Sequence, residues 1–157
     1  MKAVIREATE ADADIISSLN IDVQAAHASA MPWWFKPATP NTFPREVAAR
    51  LLDDPSNLVF IAEVESSPAG YAYAEVMDRP ETSFNYAYQM VYVHHISVRP
   101  AYRRQGVGRA LLEAVQTAAS KRDIRMISLD VWTFNVGARA FFARSGFEAH
   151  SERLWKR

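Results

Sequence analysis

The sequence predicts a mixed α/β fold in which helices cover both faces of a central sheet. One strand and two helices are followed by a run of strands, and strands and helices then alternate. This order is typical of a mixed sheet with helices on its faces. A length of 157 residues, with 49% apolar and 23% charged residues, suits one globular domain. We expect residues 1–157 to form that single domain.

Charge and cysteine content exclude several classes of protein. The formal net charge is zero, so no global field attracts nucleic acid or an anionic membrane. The chain has no cysteine, which excludes a disulfide framework, a thiolate nucleophile and cysteine-ligated zinc. We see no apolar signal-peptide core and no apolar run near the ~20 residues of a membrane span. We therefore expect a cytoplasmic protein with no metal site and no nucleic-acid or membrane partner.

The first third of the chain predicts a strand and two helices around an irregular aromatic segment. Residues 2–6 form the strand, and Thr9 caps a helix that runs to about residue 28, with Asp12 as a capping-box acid. Residues 44–52 form the second helix, with proline in its first turn. Between the helices, three prolines exclude regular structure around three adjacent aromatic residues, Trp33, Trp34 and Phe35. These rings form either a lid or interface patch, or a wall of an acceptor pocket.

The middle of the chain predicts a run of strands. The expected elements are a strand at 58–64, a hairpin turn at 66–70, a paired strand at 71–77, a polar loop at 78–85 and a strand at 86–98. The last of these exceeds the usual strand length, which indicates a bulge or a bend.

A basic glycine loop connects this long strand to a helix. Pro100 ends the strand, and a helix begins near Gly106 and runs to about Lys121. The loop is Arg103-Arg104-Gln105-Gly106-Val107-Gly108-Arg109. Free N–H groups of the first helical turn, the helix dipole and the arginines predict a site for a pyrophosphate or a similarly charged group. A solvated basic turn before an ordinary amphipathic helix would show the same pattern.

The last part of the chain predicts a strand, a helix and a final strand region. The strand covers 124–131, and the helix covers 135–145 and ends at Gly146 as a left-handed cap. Residues 147–156 are expected to supply one or more further strands.

Two phosphate-bearing cofactors suit the glycine loop. In a dinucleotide site, Asp130 would bind a ribose, because it ends the next strand about 20 residues after the loop. However, Leu111 stands at the third glycine position, and too few residues follow Val131 for the remaining βαβ units. The other cofactor is coenzyme A.

In the coenzyme A interpretation, the chain resembles the GCN5-related N-acetyltransferase (GNAT) family. The family loop is Arg or Gln, two variable residues, Gly, one variable residue, and Gly or Ala, and residues 103–108 match it. Further on, Asn135 opens a helix that ends in Gly146-Phe147, as in the family, and the opening VIREATEADADII is also similar. The resemblance covers essentially the whole chain. It implies a GNAT-like acyl-CoA N-acyltransferase fold, with a mostly antiparallel sheet and a splay between two parallel strands.

The resemblance also implies an activity and a cofactor site. The protein would be an acetyl-CoA-dependent N-acetyltransferase, which moves an acetyl group from the thioester to a primary amine by direct attack. The backbone of Ile96, Ser97 and Val98 would pair with the pantetheine arm, and the amides of residues 104–109 would hold the pyrophosphate. The arm and the thiol end would be lined by Asn135, Ala138, Phe141 and Phe142. Asn135 alone would also fit a plain helix N-cap.

Acetyl transfer needs a group that deprotonates the acceptor, because an amine of pKa about 10 is mostly protonated at neutral pH. The candidates are His94, His95 and Glu75. Adjacent strand residues point to opposite faces, so at most one histidine faces the site unless a bulge intervenes. A backbone N–H freed at a bulge near residues 95–97 would stabilise the oxyanion.

The general acid and the acceptor are less defined. Phe142 stands where the family usually has a tyrosine acid, but a thiol of pKa about 8.5 is a fair leaving group without one. Ser145, one turn along, would relay a proton through water. Trp33, Trp34, Phe35 and Tyr73 would bind an apolar or cationic amine, either a small molecule or a peptide. The missing tyrosine also fits a non-catalytic acyl-CoA-binding module, the aromatic segment fits an interaction domain, and a homodimer is a further expectation.

Overall fold

The computed structural model describes residues 2–157, and these form a five-stranded sheet with helices on both faces. The strands are β1 (Val4–Glu7), β2 (Asn57–Val64), β3 (Ser67–Arg79), β4 (Tyr88–Val98) and β5 (Met126–Leu129). The helices are α1 (Ala13–Ala30), α2 (Arg45–Asp53), α3 (Val107–Ser120) and α4 (Val136–Arg144). Strands β1 to β4 are antiparallel in chain order, and β5 pairs in parallel with β4. The predicted fold class is confirmed.

The two faces of the sheet bury separate apolar cores. Helices α1 and α2 cover one face, where Ile16 and Leu19 pack on Ile61 and Tyr71. Helix α3 covers the other face with Leu111 and its apolar neighbours, against Phe60, Ala72, Val91 and Val93. This division follows the strand period of two, since alternate residues of β2 and β3 enter opposite cores.

The start of α1 is fixed by the predicted capping box. The Asp12 carboxylate accepts from the backbone N–H of Thr9 at 2.8 Å, ahead of a short 3-10 turn. Arg6 binds both oxygens of Asp12 at 2.8 Å and donates to Glu63 at 2.9 Å. The Arg6 guanidinium is the main reason that the pKa of Asp12 falls to about 2. This cluster ties β1, β2 and α1 together.

The β2–β3 hairpin turn differs from the prediction, which placed it at residues 66–70. The turn is formed by Glu65 and Ser66, with φ of 49° and 63°, and β3 already begins at Ser67. Two left-handed residues match the twist of a two-residue hairpin. Pro68 is tolerated within β3 because pairing with β4 starts only at Gly70.

The prediction of strands in residues 147–156 is wrong. In the part of the chain that the structure describes, these residues form neither strand nor helix. Instead, the Trp155 ring packs against Trp33 at 5.4 Å and Trp34 at 5.1 Å between centroids. Helix α4 ends as predicted, with Gly146 at φ 88°. Within residues 2–157, no helix is long and apolar enough to cross a membrane.

Candidate active site

A groove of about 1660 Å³ lies beside the outer edge of β4. Strand β5 pairs with β4 only from Met90 to Val93, opposite Met126 to Leu129. Beyond this point the two parallel strands part, and residues 94–98 have no strand partner on that side within the described residues. This is the splay that the sequence predicts. It leaves a row of β4 backbone groups along the groove.

At one end of the groove, the glycine loop forms a backbone anion site. Arg104 and Gly106 adopt left-handed φ values of 61° and 83°, and Gly106 caps α3. The Ala110 N–H donates to Gly106 at 3.0 Å, so the N–H groups that precede Ala110 lie ahead of the helical ladder. A Cβ on Gly108 would lie 3.6 Å from Val98, an ordinary contact. Packing within the chain therefore does not require this glycine, whereas close approach of a phosphate to the backbone would.

The side chains of the loop contribute less to an anion site than the sequence suggests. Arg103 donates through Nε to the Val98 carbonyl at 3.0 Å, and Arg109 pairs with Glu113 at 2.8 Å. Gln105 bends back to the carbonyl of Ala101 at 3.0 Å. The backbone amides ahead of the helical ladder are therefore the part of the loop that best suits an anion.

Helix α4 lines the middle of the groove with the residues that the sequence indicates. Asn135 caps the helix, since its Oδ1 accepts from the Ala138 N–H at 3.1 Å, and both residues line the groove. Both Phe141 and Phe142 also line it, and Phe142 is 7% exposed. The Ser145 hydroxyl donates to the Phe141 carbonyl at 2.9 Å. Its proton is thus engaged with the helix backbone.

A bulge in β4 places both histidines on the face that α1 and α2 cover. Tyr73 pairs with His95, whereas Ala74 pairs with Val93, so His94 is the extra residue. Alternation would have separated the two histidines, and the bulge is the exception that the sequence analysis allows for. The predicted bulge exists, but it lies one residue before the 95–97 region that we assigned to the oxyanion site.

The two histidines have different partners. His94 Nε2 lies 2.7 Å from Glu75, and its ring stacks on Tyr73 at 4.6 Å with 13° between planes. Glu75 and Tyr73 do not line the groove themselves, but they hold His94, which does. His95 Nδ1 lies 2.9 Å from the hydroxyl of Tyr71. Burial, with His94 and His27 nearby, lowers the pKa of His95 to about 4.

Sequence reasoning missed a tyrosine–carboxylate pair where β4 and β5 part. The Tyr92 hydroxyl donates to Asp130 at 2.7 Å, and both residues line the groove. Burial, and then Asp130, raises the pKa of Tyr92 to about 12. The sequence indicates only a ribose-binding role for Asp130. Its place after β5, where the two parallel strands part, is the signal that could have placed it in the groove.

An aromatic cluster drawn from three segments borders the groove, and we call it the aromatic wall. The wall comprises His27, Trp33, Trp34, Phe35, Trp132, Phe134 and Trp155. Phe35 lines the groove, whereas Trp33 and Trp34 lie outside it and are 48% and 55% exposed. Trp34 and Phe35 also line a second cavity of about 580 Å³. The Arg157 guanidinium lies 3.8 Å from the centroid of the Trp33 ring.

Comparison with known proteins gives a consistent family. The model of the acetyltransferase (GNAT) family matches residues 23–147. The alanine N-acetyltransferase of ribosomal protein bS18 from Escherichia coli K12 is 33% identical over 138 residues, covering 84% of this chain and 79% of that protein. An uncharacterised N-acetyltransferase of Methanocaldococcus jannaschii is 34% identical over 89 residues. That match covers 57% of this chain but only 38% of the archaeal protein.

Solved structures share the fold. A mutant of the BH1408 protein of Bacillus halodurans superposes with a TM-score of 0.93 at 22% identity, over 98% of both chains. AAC(6')-Iy, in complex with a bisubstrate analogue of CoA and acetylneamine, has a TM-score of 0.76 at 20% identity. That match covers 100% of this chain and 98% of the other.

Proposed function

Because the chain belongs to the acetyltransferase (GNAT) family and is an acetyl-CoA-dependent N-acetyltransferase, we propose that the groove is its active site. The observation that carries the proposal is the unpaired edge of β4, which is followed, after a short 3-10 turn at Pro100–Tyr102, by the left-handed turn at the start of α3. An extended amide-containing arm can pair with such an edge, and a pyrophosphate suits the amides of the turn. The two features lie in the order that coenzyme A requires.

The cofactor contacts follow from this placement. The backbone of Ile96 and Val98, on either side of Ser97, would pair with the pantetheine arm. The amides between Arg104 and Arg109 would bind the pyrophosphate, with Arg103 and Gln105 shaping the turn. The thiol end would lie among Asn135, Ala138, Phe141 and Phe142, all of which line the groove. When bound, the thioester supplies the acetyl group, and the protein supplies position and proton transfer.

For proton removal we propose the His94–Glu75 pair. The Glu75 carboxylate accepts from His94 Nε2–H at 2.7 Å, which leaves the lone pair on Nδ1. A histidine held in this way can accept a proton from the acceptor ammonium, directly or through water. The bulge at His94 also frees a backbone N–H next to the pair, which would stabilise the oxyanion.

No side-chain acid is assigned to the leaving thiolate. Phe142 has no hydroxyl, and the hydroxyl proton of Ser145 is donated to the Phe141 carbonyl. A thiolate with a conjugate acid of pKa about 8.5 leaves without full protonation. The reaction then depends on the base and on the backbone, and proton return to the thiolate follows from solvent.

We propose that the acceptor is an amine that carries a second positive charge. The aromatic wall presents ring faces beside the groove, and aromatic faces attract ammonium and guanidinium groups. The contact of Arg157 with Trp33 supports this, since it demonstrates that a cation fits on this surface. Tyr73 does not line the groove and would act on the acceptor only through the His94 ring that stacks on it.

The proposal is tested by thiol release from acetyl-CoA across a panel of mono- and polyamines and short peptides. We expect turnover that is highest with dicationic amines, and thermal stabilisation by acetyl-CoA alone, because a ligand that binds only the folded state raises its stability. Stabilisation without turnover on any amine would indicate a non-catalytic acyl-CoA-binding module. No stabilisation at millimolar acetyl-CoA would contradict the assignment of the groove.

A further inference from the structure

A buried chain of polar side chains ends at His95 and has no part in the mechanism above. Asn20 of α1 is 7% exposed and Tyr71 of β3 is fully buried. The Asn20 amide donates through Nδ2 to the Tyr71 hydroxyl at 2.9 Å, and the same hydroxyl lies 2.9 Å from His95 Nδ1. The chain crosses the apolar core between α1 and the sheet. Burying polar groups in an apolar core costs free energy unless each of them is hydrogen-bonded, which suggests that this chain has a function.

One arrangement of this chain gives every buried proton an acceptor. The amide nitrogen of Asn20 only donates, so the Tyr71 oxygen accepts from it. If that oxygen also accepted from His95, the phenol proton would have no partner, so the phenol directs its proton to His95 Nδ1. Burial raises the pKa of Tyr71, which keeps that proton on the phenol. His95 Nδ1 must then be the unprotonated nitrogen, and Nε2 carries the hydrogen.

The hydrogen on Nε2 is accessible from the groove. Every buried side-chain nitrogen or oxygen among the described residues has a hydrogen-bond partner. His95 Nε2 makes no hydrogen bond within residues 2–157, and His95 lines the groove. This nitrogen is therefore exposed to the groove.

We propose that Asn20 and Tyr71 are positioning residues that hold His95 as a neutral Nε2–H donor, which binds an oxygen at the acceptor end of the groove and takes no proton from the acceptor. Adjacent histidines thus have opposite tasks: His94 accepts a proton and His95 donates a hydrogen bond. The substrate role rests on the proposed function, whereas the protonation state of His95 does not.

The protonation state is tested by long-range proton–nitrogen NMR at pH 7 on protein labelled with ¹⁵N-histidine. His95 signals are assigned as those missing in His95→Gln. We expect one neutral Nε2–H form in the wild type and a mixture of both neutral forms in Tyr71→Phe. Tyr73→Phe, which alters the ring stacked on His94, is the matched control and should leave the His95 signals as in the wild type.

A protonated or Nδ1–H ring in the wild type would overturn the proposal, as would a Tyr71→Phe spectrum identical to the wild type. If Tyr71→Phe does not fold, Asn20→Leu serves instead. In that variant the phenol is free to accept, so a mixture of neutral forms is again expected and an unchanged spectrum would overturn the proposal.

Kinetics distinguish a donor from a base. Gln keeps a side-chain N–H but has no basic nitrogen, so His95→Gln should retain kcat/KM within about tenfold of the wild type. His95→Ala should lose about tenfold more than His95→Gln, and His94→Gln should lose on the order of 100-fold, as expected of a base. Equal losses in His95→Gln and His95→Ala would contradict donation. If no amine reacts at all, the proposed function fails while the NMR result on His95 still stands.

Discussion

The two ends of the groove are built in different ways. The end that we propose for the cofactor is made of backbone: the edge of β4 and the first amides of α3, all within residues 94–109. The end that we propose for the acceptor is made of side chains from separate elements, such as Asn20 of α1, Glu75 of β3 and Trp155 of the C-terminal tail. A backbone site depends mainly on chain conformation, whereas a side-chain site depends on every residue that forms it. Substitutions that add charge or bulk should therefore disrupt the backbone site. The side-chain site should instead depend on which residue stands at each position.

The largest effect is expected from a charge placed in the backbone site. Gly108→Asp puts a carboxylate against the phosphate position, and like charges in contact cost several kcal/mol, so acetyl-CoA should bind at least ~100-fold more weakly by calorimetry. Gly108→Ala separates bulk from charge, since its Cβ meets Val98 at an ordinary 3.6 Å. This variant keeps the packing of the chain and should weaken binding less than Gly108→Asp. If Gly108→Asp and Gly108→Ala bind acetyl-CoA with equal affinity, the backbone end of the groove does not bind the charged part of the cofactor, and the contrast between the two ends is lost.

The next effect separates chemistry from cofactor binding. Glu75→Gln removes the carboxylate that orients His94, so kcat should fall on the order of 100-fold while the Kd for acetyl-CoA is unchanged. The matched control is Glu63→Gln on the neighbouring strand β2, where the carboxylate pairs with Arg6 far from the groove. A parallel rise in the Kd for acetyl-CoA would mean that the two ends are not independent.

A smaller effect is expected at the aromatic wall. Trp33→Ala removes a ring face, and a cation–π contact is worth ~0.5–2 kcal/mol, so KM for a dicationic amine should rise about 2- to 30-fold. Trp33→Phe keeps a ring and should lose less. The measurement is steady-state kinetics with a dicationic and a neutral amine. An equal rise in KM for the two amines would indicate that Trp33 acts by packing rather than by binding a cation.

The smallest effect is expected at the hydroxyl of Ser145. Because Ser145 donates its proton to the Phe141 carbonyl, Ser145→Ala should leave kcat within about twofold of the wild type. The variant loses one partly buried hydrogen bond, so its free energy of unfolding should fall by ~1 kcal/mol. A large fall in kcat with an unchanged denaturation midpoint would restore the proton relay that the sequence suggests.

The cofactor end was predictable from sequence because its signals are contiguous. Glycines, a strand-ending proline and an apolar helical period specify the turn before α3 locally, and Asn135 identifies the start of α4 in the same way. The structure places the left-handed Gly106, the free amides and the Asn135 cap where those patterns indicate. Only the arginine side chains differ, because Val98 and Glu113 are closer partners for Arg103 and Arg109.

The acceptor end was only partly predictable, because its residues meet through tertiary packing. Alternation separates His94 from His95, and only the register shift opposite Tyr73 places them on one face. The length of β4 predicts a bulge or a bend, but the position of the bulge depends on strand pairing, which no local pattern of β4 encodes. Trp155 gave a strand signal, yet the tail packs on Trp33 and Trp34, since burial among rings is available there without a sheet partner.

The parting of β4 from β5 has a consequence for handling the protein. An unpaired strand edge is a template for another chain, and proteins that expose one are prone to self-association. Acetyl-CoA bound along residues 94–98 would cover this edge and prevent it from pairing with another chain. Cofactor-depleted preparations should therefore precipitate at lower concentrations than cofactor-saturated ones, so purification, storage and crystallisation are best carried out with coenzyme A present.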